Sequence, residues 1–188
     1  MWDRFLWGII DEANTAETDI AETEESQTDS VSSVAEASIT PYDFYESLQD
    51  NEAIPFQMSE KSKVFLQEHP ELFPTQDQLK AQDYTNTEIE FKHLQKNIGL
   101  YGDRLIKSPS TMVIEIEETE MEDGIIISQL NLIDDVGLQY YVIYIGTLED
   151  VYQNDMISVW GLPLAMVQFA NTGGGTSVAP LLAGSYVE

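Results

Sequence analysis

The apolar positions of this chain change period near Gly102. Before it they recur at helical spacing. Residues 42–48 form one short helical segment after Pro41, and residues 59–69 form a second, with Ser59 placed to cap it and Phe65 and Leu66 turned to the core. Pro70 and Pro74 punctuate the next stretch. A third amphipathic piece over residues 90–98 carries Phe91, Leu94 and Ile98 on one face and stops at Gly99. Beyond Gly102 the period becomes two, and five strands are predicted, over residues 104–117 with a break near Pro109, 124–133, 138–146, 155–162 and 178–187. Met112, Ile114 and Ile116 alternate with Val113, Glu115 and Glu117, as on a half-buried strand. In the third strand Tyr140, Val142 and Tyr144 share one face and Tyr141, Ile143 and Ile145 the other. Both faces are apolar, so this strand is expected to be central or covered by a helix. Asp123-Gly124 and residues 135–137 supply turn chemistry between strands.

Five short strands at this spacing predict a mainly β domain with N-terminal helices (α+β). The expected core is a small five-stranded Greek-key barrel of the OB type. The domain reading is a short apolar segment over residues 1–10, a disordered acidic linker over 11–40, a helical segment over 41–83 and the barrel over 84–188. The first ten residues are far too short to span a bilayer, which takes about 20. They lack the positive start and cleavage site of a signal peptide. A tail helix is the expected reading there, with an interfacial anchor or the remnant of a longer membrane segment as alternatives. Residues 11–38 hold nine acids, no base and no aromatic, and cannot bury enough apolar area to offset ordering entropy.

Charge narrows the function classes. The formal net charge is −26, from thirty-four acids and eight bases, which opposes association with nucleic acid or anionic lipid and favours cationic partners. Residues 108–188 contain twelve carboxylates and no Lys or Arg. The absence of cysteine excludes disulfides, thiolate zinc sites and cysteine nucleophiles.

Each candidate chemistry has a structural alternative that fits better. Gly173, Gly174 and Gly175 have no following Lys and open no helix, so a hairpin is favoured over a phosphate loop. His69 ends a helix before Pro70 and His93 sits on the third helix; neither has the spacing of a metal or general-base site. The run Glu117, Glu118, Glu120, Glu122 and Asp123 lacks the alternation of a calcium loop and reads as a solvated hairpin tip that blunts edge pairing. Asp134 and Asp135 are adjacent and poorly placed as an acid–base pair, and no nucleophile elbow is present. No enzyme, metal site or cofactor is expected.

Trp160 and the tyrosine-rich strand raise nucleic-acid stacking, but only Arg104 and Lys107 at the barrel entry are available to neutralise phosphates. The groove such a barrel offers has the acid cluster as one lip and Gln168, Phe169, Asn171 and Thr172 as the other. The ligand residues expected there are Phe169, Gln168 and Asn171 with Glu120 and Glu122.

A resemblance sharpens this picture. "YGDRLI" at residues 101–106, "YQNDMISVWG" at 152–161 and "NTGGGTSVAPLLAGSYVE" at 171–188 resemble the C-terminal OB-fold domain of a family of uncharacterised Firmicutes proteins. Pro180, Ala183 and Tyr186 match that family's last strand. "SEKSKVFLQEHPELFP" at 59–74 resembles the helical segment preceding the domain in members that carry a zinc ribbon and one membrane helix. The chain departs from the family in lacking the ribbon cysteines and the membrane helix, and in having "IKSPSTMV" at 106–113 where the family has a glycine-bearing kink. The resemblance implies a non-catalytic module, membrane-anchored and extracytoplasmic if the chain given is truncated. The expectation is therefore a non-catalytic OB-fold binding module of the cell envelope for a cationic peptide, a protein or a saccharide. Its alternatives are a single-stranded nucleic-acid binder and a purely structural, self-associating module.

Overall fold

In the computed structural model, which describes residues 39–50, 55–121, 124–170 and 175–188, the N-terminal helices start where side chains satisfy free amides. Thr40 accepts from Asp43 N at the head of α1 (Pro41–Ser47), which runs on into a 3-10 turn over Leu48–Asp50. Ser59 accepts from Ser62 N at the head of α2 (Glu60–Glu68), as its spacing predicts. A short α3 (Gln78–Asp83), not anticipated from the sequence, is held by Asp77, which accepts from Leu79 N and Lys80 N. The third expected helix is α4 (Phe91–Asn97), which ends in a 3-10 turn over Ile98–Leu100. The apolar segment 1–10, the linker apart from Ile39 and Thr40, Glu122, Asp123 and residues 171–174 lie outside the described residues.

The strand count is corrected from five to seven. The strands are β1 (Ile106–Lys107), β2 (Thr111–Glu120), β3 (Ile126–Ile133), β4 (Gln139–Ile145), β5 (Met156–Ile157), β6 (Val159–Ala170) and β7 (Thr176–Val187), in the order β1-β6-β7-β4-β3-β2-β5. Two of the expected strands are each divided. The first breaks at residues 108–110, around Pro109, into β1 and β2; the fourth breaks at Ser158 into β5 and β6. Ser108 fixes the first break, donating its N–H to Val159 O (2.8 Å) and accepting Val159 N on its hydroxyl (2.9 Å). Because β1 pairs with β6 while β2 pairs with β5, the two ends of the sheet are neighbouring stretches of chain, and the sheet curls into a half-barrel.

The fourth expected strand also stops too early at Leu162, since β6 continues to Ala170. Gly161 and Pro163 read as breakers in the sequence. Register shifts between Trp160 and Gly161 and between Pro163 and Ala165 absorb them, and β6 stays paired with β7 along its length.

Strand β4 is fourth of seven, central as its two apolar faces require. Its Tyr140, Val142 and Tyr144 join Val113, Leu130, Leu132, Ile157, Val159 and Leu182 in the curl's interior, closed at one end by Leu94 of α4. Its other face meets the helices. Ile143 packs with Ile127, Leu164 and Leu181 against Phe44, Tyr45, Phe65 and Leu66. Tyr45, fully buried, donates its hydroxyl to Ile143 O at 2.8 Å, and Ser62 donates to Pro163 O at 2.8 Å. Gly102 lies so close to the first turn of α2 that a Cβ there would fall 2.7 Å from Ser62 N. Helices and sheet therefore share one core across position 83.

Burial of these tyrosines sets an alkaline limit. Burial, with a smaller contribution from Asp134, pushes the Tyr140 hydroxyl up to about 12, and burial also raises Tyr45, Tyr141 and Tyr144. A group whose folded-state pKa is raised contributes stability that is intact below its unfolded value, about 10 for tyrosine, and lost as pH rises through the folded value. The denaturant midpoint is expected to hold up to about pH 10 and to fall between about 10 and 12, with tyrosinate absorbance rising as the protein unfolds. A midpoint flat across that window would show that these hydroxyls ionise without cost.

Candidate binding cleft and outer sheet face

The residues expected to form a groove are placed apart. Gln168 and Phe169 are strand residues of β6, not loop residues; Gln168 is exposed and Phe169 half-buried, its ring 6.2 Å from that of Tyr141. Glu120 is exposed at the far end of β2. It pairs with Ile126, beside the level of Ile145, whereas Phe169 pairs with Ser177, six positions before Ala183 at the level of Ile143. Nine or so strand residues separate the two, on the order of 30 Å. Glu122 and Asn171 lie outside the described residues. Glu120 and Phe169 thus stand at opposite ends of the sheet and do not converge on one small ligand.

Between them runs a polar strip on the outer face. Tyr141 donates its hydroxyl to Gln129 Oε1 (2.7 Å), and Gln129 is paired with Glu117 on β2. Burial first, then the carboxylates Glu117 and Glu115, drive the Tyr141 hydroxyl upward. The buried oxygens Asn131 Oδ1 and Gln139 Oε1, on the same face, have no hydrogen-bond partner among the described residues. A buried acceptor left unmatched costs about 1–3 kcal/mol.

The stacking platform suggested by the aromatics is absent from the described surface. Trp160 is 1 % exposed, lies edge-on to Tyr186 at 5.4 Å and has Lys107 Nζ 4.1 Å from its ring centre. Tyr140 and Tyr144 are buried and Tyr141 is largely covered. Alternation alone does not tell a buried aromatic from an exposed one when both faces of a strand are covered. Both histidines have partners in the fold. His69 sits between Phe65 and Tyr84 with ring centroids 4.7 and 4.6 Å away, and His93 Nδ1 accepts Glu90 N to cap α4.

The bases are largely spoken for. Of the seven Lys and Arg among the described residues, Lys61, Lys63, Lys80, Lys92 and Lys107 are paired with carboxylates. Lys61, beside Asp103, holds that carboxyl below its usual range. No group of three or more His, Cys, Asp or Glu suited to a metal ion occurs among the described residues. No helix among them is long and apolar enough to cross a membrane.

Sequence reasoning missed a concavity that the strands build. A cleft of about 700 Å³ opens beyond the C-terminal ends of the parallel strands β4 and β7. Tyr144 and Tyr186 form its aromatic wall, with Gln76 hydrogen-bonded to Tyr144. Glu149, Asp150, Asp155 and Glu188 supply its carboxylates, and no Lys or Arg lines it. Asp155 is partly engaged, accepting Tyr152 N at 2.8 Å to close a turn. Glu188 is held 3.2 Å from Lys107 Nζ, an ammonium that also rests over Trp160. Glu188 thus already holds one ammonium, which also rests on an aromatic ring. Four carboxylates beside the half-buried Tyr186 favour a cation by charge and, at that ring, by cation–π attraction.

No family model and no curated protein matches the chain. Among solved structures it is similar to the second OB-fold domain of replication protein A from Methanococcus maripaludis, at 18% identity, covering 45% of this chain and 80% of that chain with a TM-score of 0.26.

Proposed function

We propose that this chain is a non-catalytic, OB-type binding module whose ligand is cationic, an amine-bearing peptide or protein segment taken at the cleft beyond β4 and β7. The observation that carries the reading is that cleft, with two tyrosines, four carboxylates and no base in its walls. The curled sheet, with β1 and β2 joined through one kink and β5 and β6 through another, supports an OB-type barrel. Burial of Trp160 and Tyr140 and the pairing of most bases favour a cationic ligand over a nucleic acid. Placement in the cell envelope is part of the same proposal, resting on the family resemblance.

The test is a calorimetric titration with a short peptide alternating lysine and glycine, a poor strand former, at about 20 mM salt, where exposed charges are least screened. Binding is expected that weakens as salt rises and drops about tenfold in the double variant Glu149→Gln/Asp150→Asn. A thymidine oligonucleotide is expected not to bind. An unchanged peptide affinity in the double variant would remove the cleft from consideration, and salt-sensitive oligonucleotide binding would restore the nucleic-acid alternative.

A further inference from the structure

Strand β2 has an edge that its own fold leaves open. On one side it is paired with β3 from Met112 to Glu120. On the other, β5 pairs only with Thr111 and Met112. Asp155 O then accepts Val113 N, Val113 O accepts Asn154 N, and Ile114 O accepts Gln153 Nε2. There the neighbouring chain leaves, diverted by a turn in which Asp155 N donates to Tyr152 O and Asn154 adopts a φ of 76°. From Glu115 to Glu120 no strand among the described residues lies against this edge.

The ladder's alternation identifies the groups that face outward. Met121 N donates to Ile125 O, so Met121 and Ile125 form a hydrogen-bonded pair, and by the antiparallel alternation Thr119, Glu117 and Glu115 also direct their amides and carbonyls to β3. Ile116, Glu118 and Glu120 therefore present their N–H and C=O groups to the open side. Side chains along the edge are acidic on both faces, Glu115 and Glu117 on the outer face and Glu118 and Glu120 on the other, and all four are exposed. Such an edge repels a second copy of itself and attracts a strand of opposite charge.

We propose that the Glu115–Glu120 edge of β2 is a strand-addition site for an extended peptide segment carrying lysine or arginine, which continues the lane that β5 vacates. Main-chain hydrogen bonds to Ile116, Glu118 and Glu120 supply the docking, and the flanking glutamates select a basic strand over an acidic one. The site adjoins the cleft through Glu118, whose Oε1 accepts Leu148 N, but offers different groups, the main-chain amides and carbonyls of β2.

The probe is a seven-residue peptide alternating valine and lysine, compared with two isomers N-methylated on either the valine or the lysine amides. Only one alternate set of peptide amides can face β2. One isomer is expected to lose binding by tenfold or more and the other to retain it. Amide exchange at Ile116, Glu118 and Glu120 is expected to slow when the peptide is bound. The triple variant Glu115→Gln/Glu117→Gln/Glu120→Gln is expected to bind about tenfold more weakly. Glu118 is left intact because its Oε1 accepts Ser128 Oγ and Leu148 N. Equal binding by both methylated isomers, or no binding at low salt, overturns the proposal. Protection at cleft residues in place of β2 also overturns it and leaves the cleft reading standing.

Discussion

A chain cut to residues 84–188 is expected to lack a cooperative unfolding transition, whereas residues 39–188 unfold in one step. The cut removes Phe44, Tyr45, Phe65, Leu66, Leu72 and Phe73, all buried in the core that covers Ile127, Ile143, Leu162, Leu164 and Leu181. Burial of each such side chain contributes about 1.5–3 kcal/mol, so the six together contribute on the order of 10 kcal/mol, comparable to the whole stability of a typical domain, about 5–15 kcal/mol. The cut also leaves Ile143 O and Pro163 O without the hydroxyls of Tyr45 and Ser62. The exposed sheet face is expected to bind a hydrophobic dye and to aggregate. Thermal and chemical denaturation of the two lengths, read by circular dichroism, decides the matter. A sharp, reversible transition in residues 84–188 would show that the helices are accessory.

Much of this arrangement was legible in the order of side chains. The two apolar faces of β4 required a cover on both sides, and the structure supplies the curl's interior on one and Tyr45 with its helix on the other. Ser59 announced a helix start, and Gly124 and Gly137, at φ 79° and 88°, sit in the turns that their aspartates foretold. What escaped the sequence depends on long-range pairing. The extent of β6 was hidden because Gly161 and Pro163 look like terminators until β7 is beside them to accommodate the bulges. Helix α3 buries only Ala81, too little to leave a periodic trace.

The candidate sites divide along the same line. The acid run from Glu117 reads as a hairpin tip in the sequence, whereas Glu117, Glu118 and Glu120 stand in the paired strand β2; that half of its other edge stays unpaired follows only from the strand order and from where β5 ends. The cleft was invisible, because the stretch 144–157, Gln76 and residues 186–188 meet only when β4 and β7 run parallel. The groove residues Phe169 and Glu120 were placed on one ligand because strand separation along the barrel axis cannot be measured in a sequence.

Trp160→Ala is expected to be the most damaging single change in the sheet, at about 3–5 kcal/mol, or roughly 10 °C or more of melting temperature for a domain of this size. Trp160 is the largest fully buried side chain among the described residues, set where β1, β6 and β7 meet in register with Lys107 and Tyr186. Its removal leaves a void that Gly161 cannot fill and takes the ring from beneath Lys107. The loss should reach the cleft, because Tyr186, edge-on to Trp160, forms one of its walls. Lys107→Gln provides the contrast. It removes a half-exposed ammonium, costing roughly 1 kcal/mol or less in stability, yet it frees Glu188 from its internal partner. If an ammonium of the ligand takes the place of Lys107 beside Glu188, this variant binds the lysine–glycine peptide a few-fold more tightly while Trp160→Ala binds it more weakly. Melting curves and titrations on both variants separate the two effects, and a peptide affinity that falls in Lys107→Gln would show that Lys107 shapes the cleft instead of competing for it.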